Sequence, residues 1–357
     1  MLAMKRIIAI AEHAAMPALR LLAALNLLFV LSSVAMLILA MGHARAETPV
    51  CAGQNLLATL KVDDPATYER IAAEARATEN GSGLLWKIER EGLEPSYLFG
   101  TMHVTDPRVT TLPDGARKVF DKASTVVIET TEVLDQSKMM AVFVERPDLM
   151  MFMDGTTLDS LLTPAERETV EKALKARGIP PASVAKMKPW IISAMVALPA
   201  CELARKAAGA PVLDVKLGEE AKAAGKALEG LETAADQLDA MASLPMDFHV
   251  KGLVETLKLG SRMDDVIETM IVLYQRGETG IFWPLFRAVL PSGEDEAGYA
   301  AFEATMVSER NKTMVERAEA ILERGNAFIA VGALHLPGPQ GLVSLLQKDG
   351  YTVTRAN

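Results

Sequence analysis

Two short apolar runs that each end in Gly-x-x-His constrain this chain more than any other feature. Ser96-Tyr97-Leu98-Phe99 runs into Gly100-Thr101-Met102-His103, and Ala327-Phe328-Ile329-Ala330-Val331 runs into Gly332-Ala333-Leu334-His335. Uninterrupted apolar runs of this length read as strands buried on both faces, the habit of parallel sheets covered by helices. Each turn is followed by a proline and then an amphipathic helix. The echo predicts two equivalent positions in one sheet. The glycines, Gly100 and Gly332, are expected to let the backbone turn tightly and come close to a ligand.

Two more strands end in an acidic residue. Thr125-Val126-Val127-Ile128 runs into Glu129, and Lys226–Leu231 runs into Glu232. In open parallel sheets, ligands collect outside the carboxyl ends of the strands. If these four strands are parallel, His103, Glu129, Glu232 and His335 converge at one edge. A single Gly-x-x-His is weak evidence, because a histidine after a strand is ordinarily a loop residue. Two of them use two of the three histidines beyond residue 46, which points to function. The third, His249, lies in a helical stretch and reads as structural. A charge at the end of Val126-Val127-Ile128 costs free energy unless it is partnered. For Glu129 the plain alternative is a helix cap or salt bridge, and for Glu232 the functional and plain readings weigh about equally.

The remaining pattern predicts an α/β (mixed α+β) fold. Strands are expected at Leu84–Glu89 and Ser96–Phe99, a helix at Pro113–Lys122 and a strand at Thr125–Ile128. A helical section follows at about 135–225. In it Thr163 caps a helix with Pro164 in its first turn, and Pro189-Trp190 opens another. A strand returns at Lys226–Leu231. Helices fill Ala234 to about Arg276 and Tyr299–Arg324, and strand Ala327–Val331, helix Gly341–Lys348 and strand Tyr351–Thr354 close the chain. The expected architecture is therefore a central, largely parallel sheet wrapped by helices, with a helical insertion between two sheet-forming halves. Half the residues are hydrophobic but only 5% are aromatic, which favours packed helices around a modest sheet over a β-sandwich.

The N-terminus reads as an export signal. Lys5, Arg6 and Arg20 precede an apolar stretch from Leu21 to Met41, and Ala44-Arg45-Ala46 offers a cleavage site before Glu47. Residues 1–46 are thus expected to be a signal peptide and 47–357 the mature domain, periplasmic or extracellular. An uncleaved membrane anchor is the alternative, since about 20 apolar residues span a bilayer. Two cysteines, Cys51 and Cys201, follow the signal. An oxidising compartment permits a disulfide between them, and two unpaired thiols are the alternative. The net charge of −9, with no basic stripe, argues against nucleic acid as a partner. The absence of G-x-S-x-G, a P-loop, a dinucleotide fingerprint and C-x-x-C argues against a serine hydrolase, NTPase, dehydrogenase or redox protein.

The runs SYLFGTMHVTD, VVIET and GALHLPGPQGLVSLLQKDGYTV, with Leu85-Trp86-Lys87-Ile88 and Lys188-Pro189-Trp190, resemble the TraB/GumN family, which includes the Tiki-type proteases. The resemblance covers about Cys51 to Arg355. It implies a fold shared with erythromycin esterase and ChaN-like proteins. It places the family's Gly-x-x-His motifs on Gly100/His103 and Gly332/His335, its acidic residue on Glu129, and its Arg-Asn pair on Arg310 and Asn311. By the same resemblance, Tiki-type members are proteases that favour cobalt or manganese.

Two mechanisms fit. In one, His103, Glu129 and His335 hold a divalent metal (Mn, Co or Zn), Glu232 acts as base and Arg310 steadies an oxyanion. In the other no metal is needed: a histidine takes a proton from water, Glu129 orients it and Arg310 holds the oxyanion. The substrate is then a peptide or another small molecule. A non-enzymatic reading, in which the histidines bind metal or haem in a protein linked to polysaccharide export, also stands. Met139-Met140 and Met150-Met151-Met153 either line an adaptable groove or pack a helical lid, and the lid is the plainer reading.

Overall fold

A computed structural model describes residues 51–289 and 296–356. The expected signal peptide lies outside the described residues. Six strands form one sheet: β1 Leu85–Glu89, β2 Ser96–Thr101, β3 Thr125–Ile128, β4 Ala227–Gly230, β5 Ala327–Gly332 and β6 Thr352–Arg355. Their order is β4-β3-β5-β2-β1-β6. The first four in that order are mutually parallel, and β1 pairs antiparallel with both β2 and β6. The expected α/β architecture is what the structure has, and the four strands thought to end in functional groups are its parallel block.

Alternation along the strands explains why this block is central. Phe99, Val126, Ile128, Phe328 and Ala330 face one layer, where they meet Phe120, Leu213 and Leu217. Leu98, Val127, Ile329 and Val331 face the other, packed on Met314, Ile321, Val343 and Leu346. Burial on both faces leaves β2, β3 and β5 polar positions only toward their ends, whereas β4 is a more exposed edge strand with Glu229 within it. Phe328 stacks on Phe99 with ring centroids 5.8 Å apart and meets Phe120 edge-on at 5.4 Å, geometries that aromatic quadrupoles favour.

Between β3 and β4 the chain is helical. Thr163 and Glu166 close a capping box on helix Pro164–Ala176, and helix Pro189–Val196 starts at the expected proline. The helical span expected from Ala234 to about Arg276 is three helices, Ala234–Ala242, Met246–Leu259 and Arg262–Gln275. Pro245 and Gly260, the latter at φ +54°, make the breaks, because proline removes a backbone donor and few side chains adopt that φ. A π-turn, Ala304–Ser308, interrupts the helical run before Glu309–Leu322. Such turns gather at functional sites, and this one lies directly before Arg310.

Cys51 and Cys201 form a disulfide, with Cα atoms 5.3 Å apart. Helix Ala200–Ala207, which carries Cys201, also grips the loop after His103. Its fully buried Glu202 accepts hydrogen bonds from the Thr105 backbone N–H and hydroxyl, both at 2.7 Å, and pairs with Arg205. Reduction is expected to lower stability by about 2–5 kcal/mol. Urea midpoints with and without dithiothreitol check this, and an unchanged midpoint would show that the bridge constrains nothing.

Candidate active site

The parallel block brings the strand ends together. β2 and β5 are neighbours, with Gly100 opposite Val331 and Thr101 opposite Gly332. The two Gly-x-x-His turns are therefore side by side. Glu129 follows Ile128, which pairs with Ala330 of β5.

The chain turns straight after Gly332, into the single 3-10 turn Ala333–His335, and both glycines also provide space. Neither has positive φ. A Cβ on Gly100 would lie 2.7 Å from Leu336 Cδ1 and 3.1 Å from the Ala333 Cα, so Gly100 makes room for the second turn. A Cβ on Gly332 would lie 3.2 Å from Glu129 Oε1, so Gly332 lets the carboxylate approach its backbone. Its N–H donates to Oε1 at 2.7 Å.

Glu129 is buried and held at both oxygens. Oε2 accepts from Arg310 Nη2 at 2.8 Å and from Gln237 Nε2 at 2.9 Å. Burial alone would push its pKa up. His335, His103, Arg310 and the Gly332 N–H outweigh burial and bring it down to about 2, so the group is a carboxylate at neutral pH.

His335 is buried, and burial lowers its pKa to about 4, against the pull of Glu129. Asn311 fixes its tautomer. The Asn311 amide donates to the carbonyls of His335 (3.2 Å) and Gln340 (2.7 Å). Its Oδ1 therefore faces His335 Nδ1 at 2.6 Å and requires the proton there. The lone pair is left on Nε2, which lies 3.8 Å from Glu129 Oε1. Two acceptors thus face each other with no proton of their own to share. A water or a cation between them satisfies both.

Arg310 completes the group. Its guanidinium lies between Glu129 and Glu232, with Nη2 2.6 Å from Glu232 Oε2 and Nε 2.9 Å from Oε1, and Nη1 donates to the Met306 carbonyl in the π-turn. Glu232 carried two readings of equal weight, a base in the metal mechanism and a plain structural partner. Its side chain is only 2% exposed, and both oxygens receive Arg310. It fixes the guanidinium from behind.

His103 is placed differently from its counterpart. Its side chain is 59% exposed, and Nε2 lies 3.5 Å from Asp214 Oδ2. The Asp214 carboxylate raises the His103 pKa to about 9, an effect that solvent at the exposed ring weakens. Asp214 is buried and accepts from Thr101 Oγ1 at 2.8 Å. Nothing in the sequence singled out Asp214 or Gln237, since each is one polar residue in an ordinary helix. His249 is structural, as expected, and its Nε2 lies 3.0 Å from the Met241 carbonyl.

Among the described residues, no three His, Cys, Asp or Glu side chains stand close enough to hold a metal ion as placed. The donor chemistry of the strand-end residues nevertheless suits one. His335 Nε2 and Glu129 Oε1 are a free lone pair and an anion turned toward each other, and Asn311 supports the imidazole as outer partners of metal-bound histidines do. His103 is the third donor of suitable type, turned here to Asp214.

His103, Glu129, Arg310 and His335 all line a pocket of about 250 Å³. None of Met139, Met140, Met150, Met151 and Met153 lines it or the larger hollow beside it. Met140 and Met153 are 53% and 67% exposed, and the adaptable groove, the less plain of the two readings for these methionines, is not this pocket.

A helix-wrapped, largely parallel sheet with paired Gly-x-x-His turns at its carboxyl edge defines a class of protein, and comparison with known sequences gives the class a name. The chain belongs to the TraB/PrgY/gumN family, which residues 84–355 match. Metalloprotease TIKI1 of Danio rerio is 26% identical over 317 residues, 76% of this chain and 63% of the relative. Metalloprotease TIKI2 of Danio rerio is 23% identical over 322 residues, 76% and 60%. Metalloprotease TIKI1 of Homo sapiens is 25% identical over 325 residues, 77% and 62%. The chain thus spans about three-fifths of the length of these relatives. No solved structure gives a significant match.

Proposed function

We propose that the protein is an exported hydrolase of peptide bonds, with its active site at the carboxyl edge of β2, β3 and β5. One observation carries the reading: the unprotonated Nε2 of His335 faces the Glu129 carboxylate across 3.8 Å, beside a clamped guanidinium, in a pocket. His335 and Glu129 hold a water, and His335 Nε2 takes its proton as the oxygen attacks the carbonyl carbon. Arg310 stabilises the negative charge that develops on the carbonyl oxygen, and the proton passes to the amine nitrogen that leaves as the C–N bond breaks. Asn311 and Glu232 position His335 and Arg310. The relatives' names, metalloproteases, support a peptide substrate and a divalent metal. His335, Glu129 and His103 would hold that ion, which when bound lowers the pKa of a water and polarises a carbonyl. Among the described residues no helix is long and apolar enough to cross a membrane. The disulfide supports a location outside the cytoplasm.

The metal is tested by titrating Mn²⁺, Co²⁺ and Zn²⁺ into the wild-type protein and into His103→Ala and His335→Ala. The expected result is one ion per chain, lost in both variants with the fold intact. No binding, or binding unchanged in both, would overturn the metal and leave water activation to His335 and Glu129 alone.

A further inference from the structure

A hollow of about 500 Å³ adjoins the site and shares Met102, Met270, Trp283, Phe302 and Leu334 with the smaller pocket. Its size is that of a ligand site, and its walls are nearly all apolar. Helix Met246–Leu259 contributes two wall residues that packing does not explain. Gly252 sits inside this helix, where glycine is less favourable than alanine. Among the described residues a Cβ there would meet nothing within 4 Å, so none of them crowds the glycine. Glu255 stands one turn on, in the same wall, with its side chain 13% exposed. Its Oε1 receives Lys258 Nζ at 3.3 Å, while Oε2 is buried with no hydrogen-bond partner among the described residues. A buried carboxylate oxygen without a donor is unfavourable until something supplies one.

We propose that this hollow is the specificity subsite of the adjoining centre, a reading that rests on the peptidase function above. It takes large aliphatic or aromatic side chains of a polypeptide next to the bond cut, and Glu255 receives the ammonium or guanidinium of a flanking basic residue. An acyl chain suits the same walls but brings no donor to Glu255. A plainly polar peptide satisfies Glu255 and wastes the apolar walls.

The test uses the full chain in EDTA, so that binding is read apart from turnover, with dye-labelled hexapeptides followed by fluorescence anisotropy. Gly-Leu-Phe-Lys-Gly-Ser is expected to bind about tenfold more tightly than Gly-Ser-Asn-Lys-Gly-Ser and about fivefold more tightly than Gly-Leu-Phe-Gln-Gly-Ser. The preference for lysine should vanish in Glu255→Gln. Gly252→Phe, which puts a ring into the open space, should weaken the first peptide about tenfold at an unfolding midpoint no lower than that of the wild type. Equal binding of all three peptides would overturn the proposal, as would a Gly252→Phe protein that binds like wild type, or decanoate competing as well as the first peptide. Selective binding with no cleavage in any metal would remove the hydrolytic reading and keep the subsite. Cleavage of the Ser-Asn peptide as fast as the Leu-Phe peptide would do the reverse.

Discussion

Replacing Arg310 by methionine is expected to destabilise the fold by about 3–5 kcal/mol at pH 7, the cost typical of removing one partner from a buried ion pair. Methionine keeps the length and the apolar stem but leaves Glu129 and Glu232, at 7% and 2% side-chain exposure, facing each other without their shared cation. The loss should depend on pH in a defined direction. In the wild type the Glu129 pKa is lowered from 4.5 to about 2. The stability this contributes is complete above the unfolded value and disappears only as pH falls toward 2. Without the guanidinium, the carboxylate takes a proton at higher pH and sheds its charge. The gap between variant and wild type should therefore narrow between pH 7 and about pH 4. Urea unfolding at both pH values measures it. A gap below about 1 kcal/mol at pH 7, the range of an exposed pair, or one that widens on acidification, would contradict the clamp.

The second large effect falls on activity. His335→Ala is expected to lower kcat/KM for peptide hydrolysis by about 10²–10⁴, the usual contribution of a positioned acid–base group. Asn311→Leu should cost less and in a distinguishable way. It removes the acceptor at His335 Nδ1 and frees the ring to take the other tautomer. It should lower kcat more than it raises KM, and move the acid limb of the pH profile. A purely structural asparagine would lower the unfolding midpoint and leave the limb where it was. Measuring both profiles beside thermal unfolding separates the two.

Three strands were legible because β2, β3 and β5 are buried on both faces, which makes each an apolar run with polar groups only toward its ends; β4 is a more exposed edge strand with Glu229 within it. Position at a strand end marked His103, Glu129, Glu232 and His335 as candidates. What the sequence could not convey was their unequal partnership. His103 and His335 follow the same motif, yet Asp214 holds one at the surface while Asn311 fixes the other in the interior. Asp214 arrives from a helix far away in sequence that carries no pattern to set it apart, whereas Asn311 lies 24 residues before His335 and was marked by the Arg-Asn pair of the family resemblance. Glu232 reads like Glu129 in sequence, and only the placement of Arg310 shows that one lines the pocket and the other stands behind the guanidinium. The glycines were marked for tight turning and close approach to a ligand; the space they leave for a neighbouring turn and for the Glu129 carboxylate depends on register and was not legible. The helix breaks at Pro245 and Gly260 were available in the residues themselves.

The most direct test of the account is cleavage of a defined peptide mixture by the full-length protein. Products are identified by mass spectrometry, with and without added Mn²⁺, Co²⁺ or Zn²⁺, and beside Glu129→Gln. The account predicts specific cuts by the wild type and their loss by at least about 100-fold in the variant, whose fold is retained. Cuts that persist in Glu129→Gln, or no cleavage by the wild type in any of these conditions, would contradict a hydrolytic centre at the carboxyl edge of this sheet.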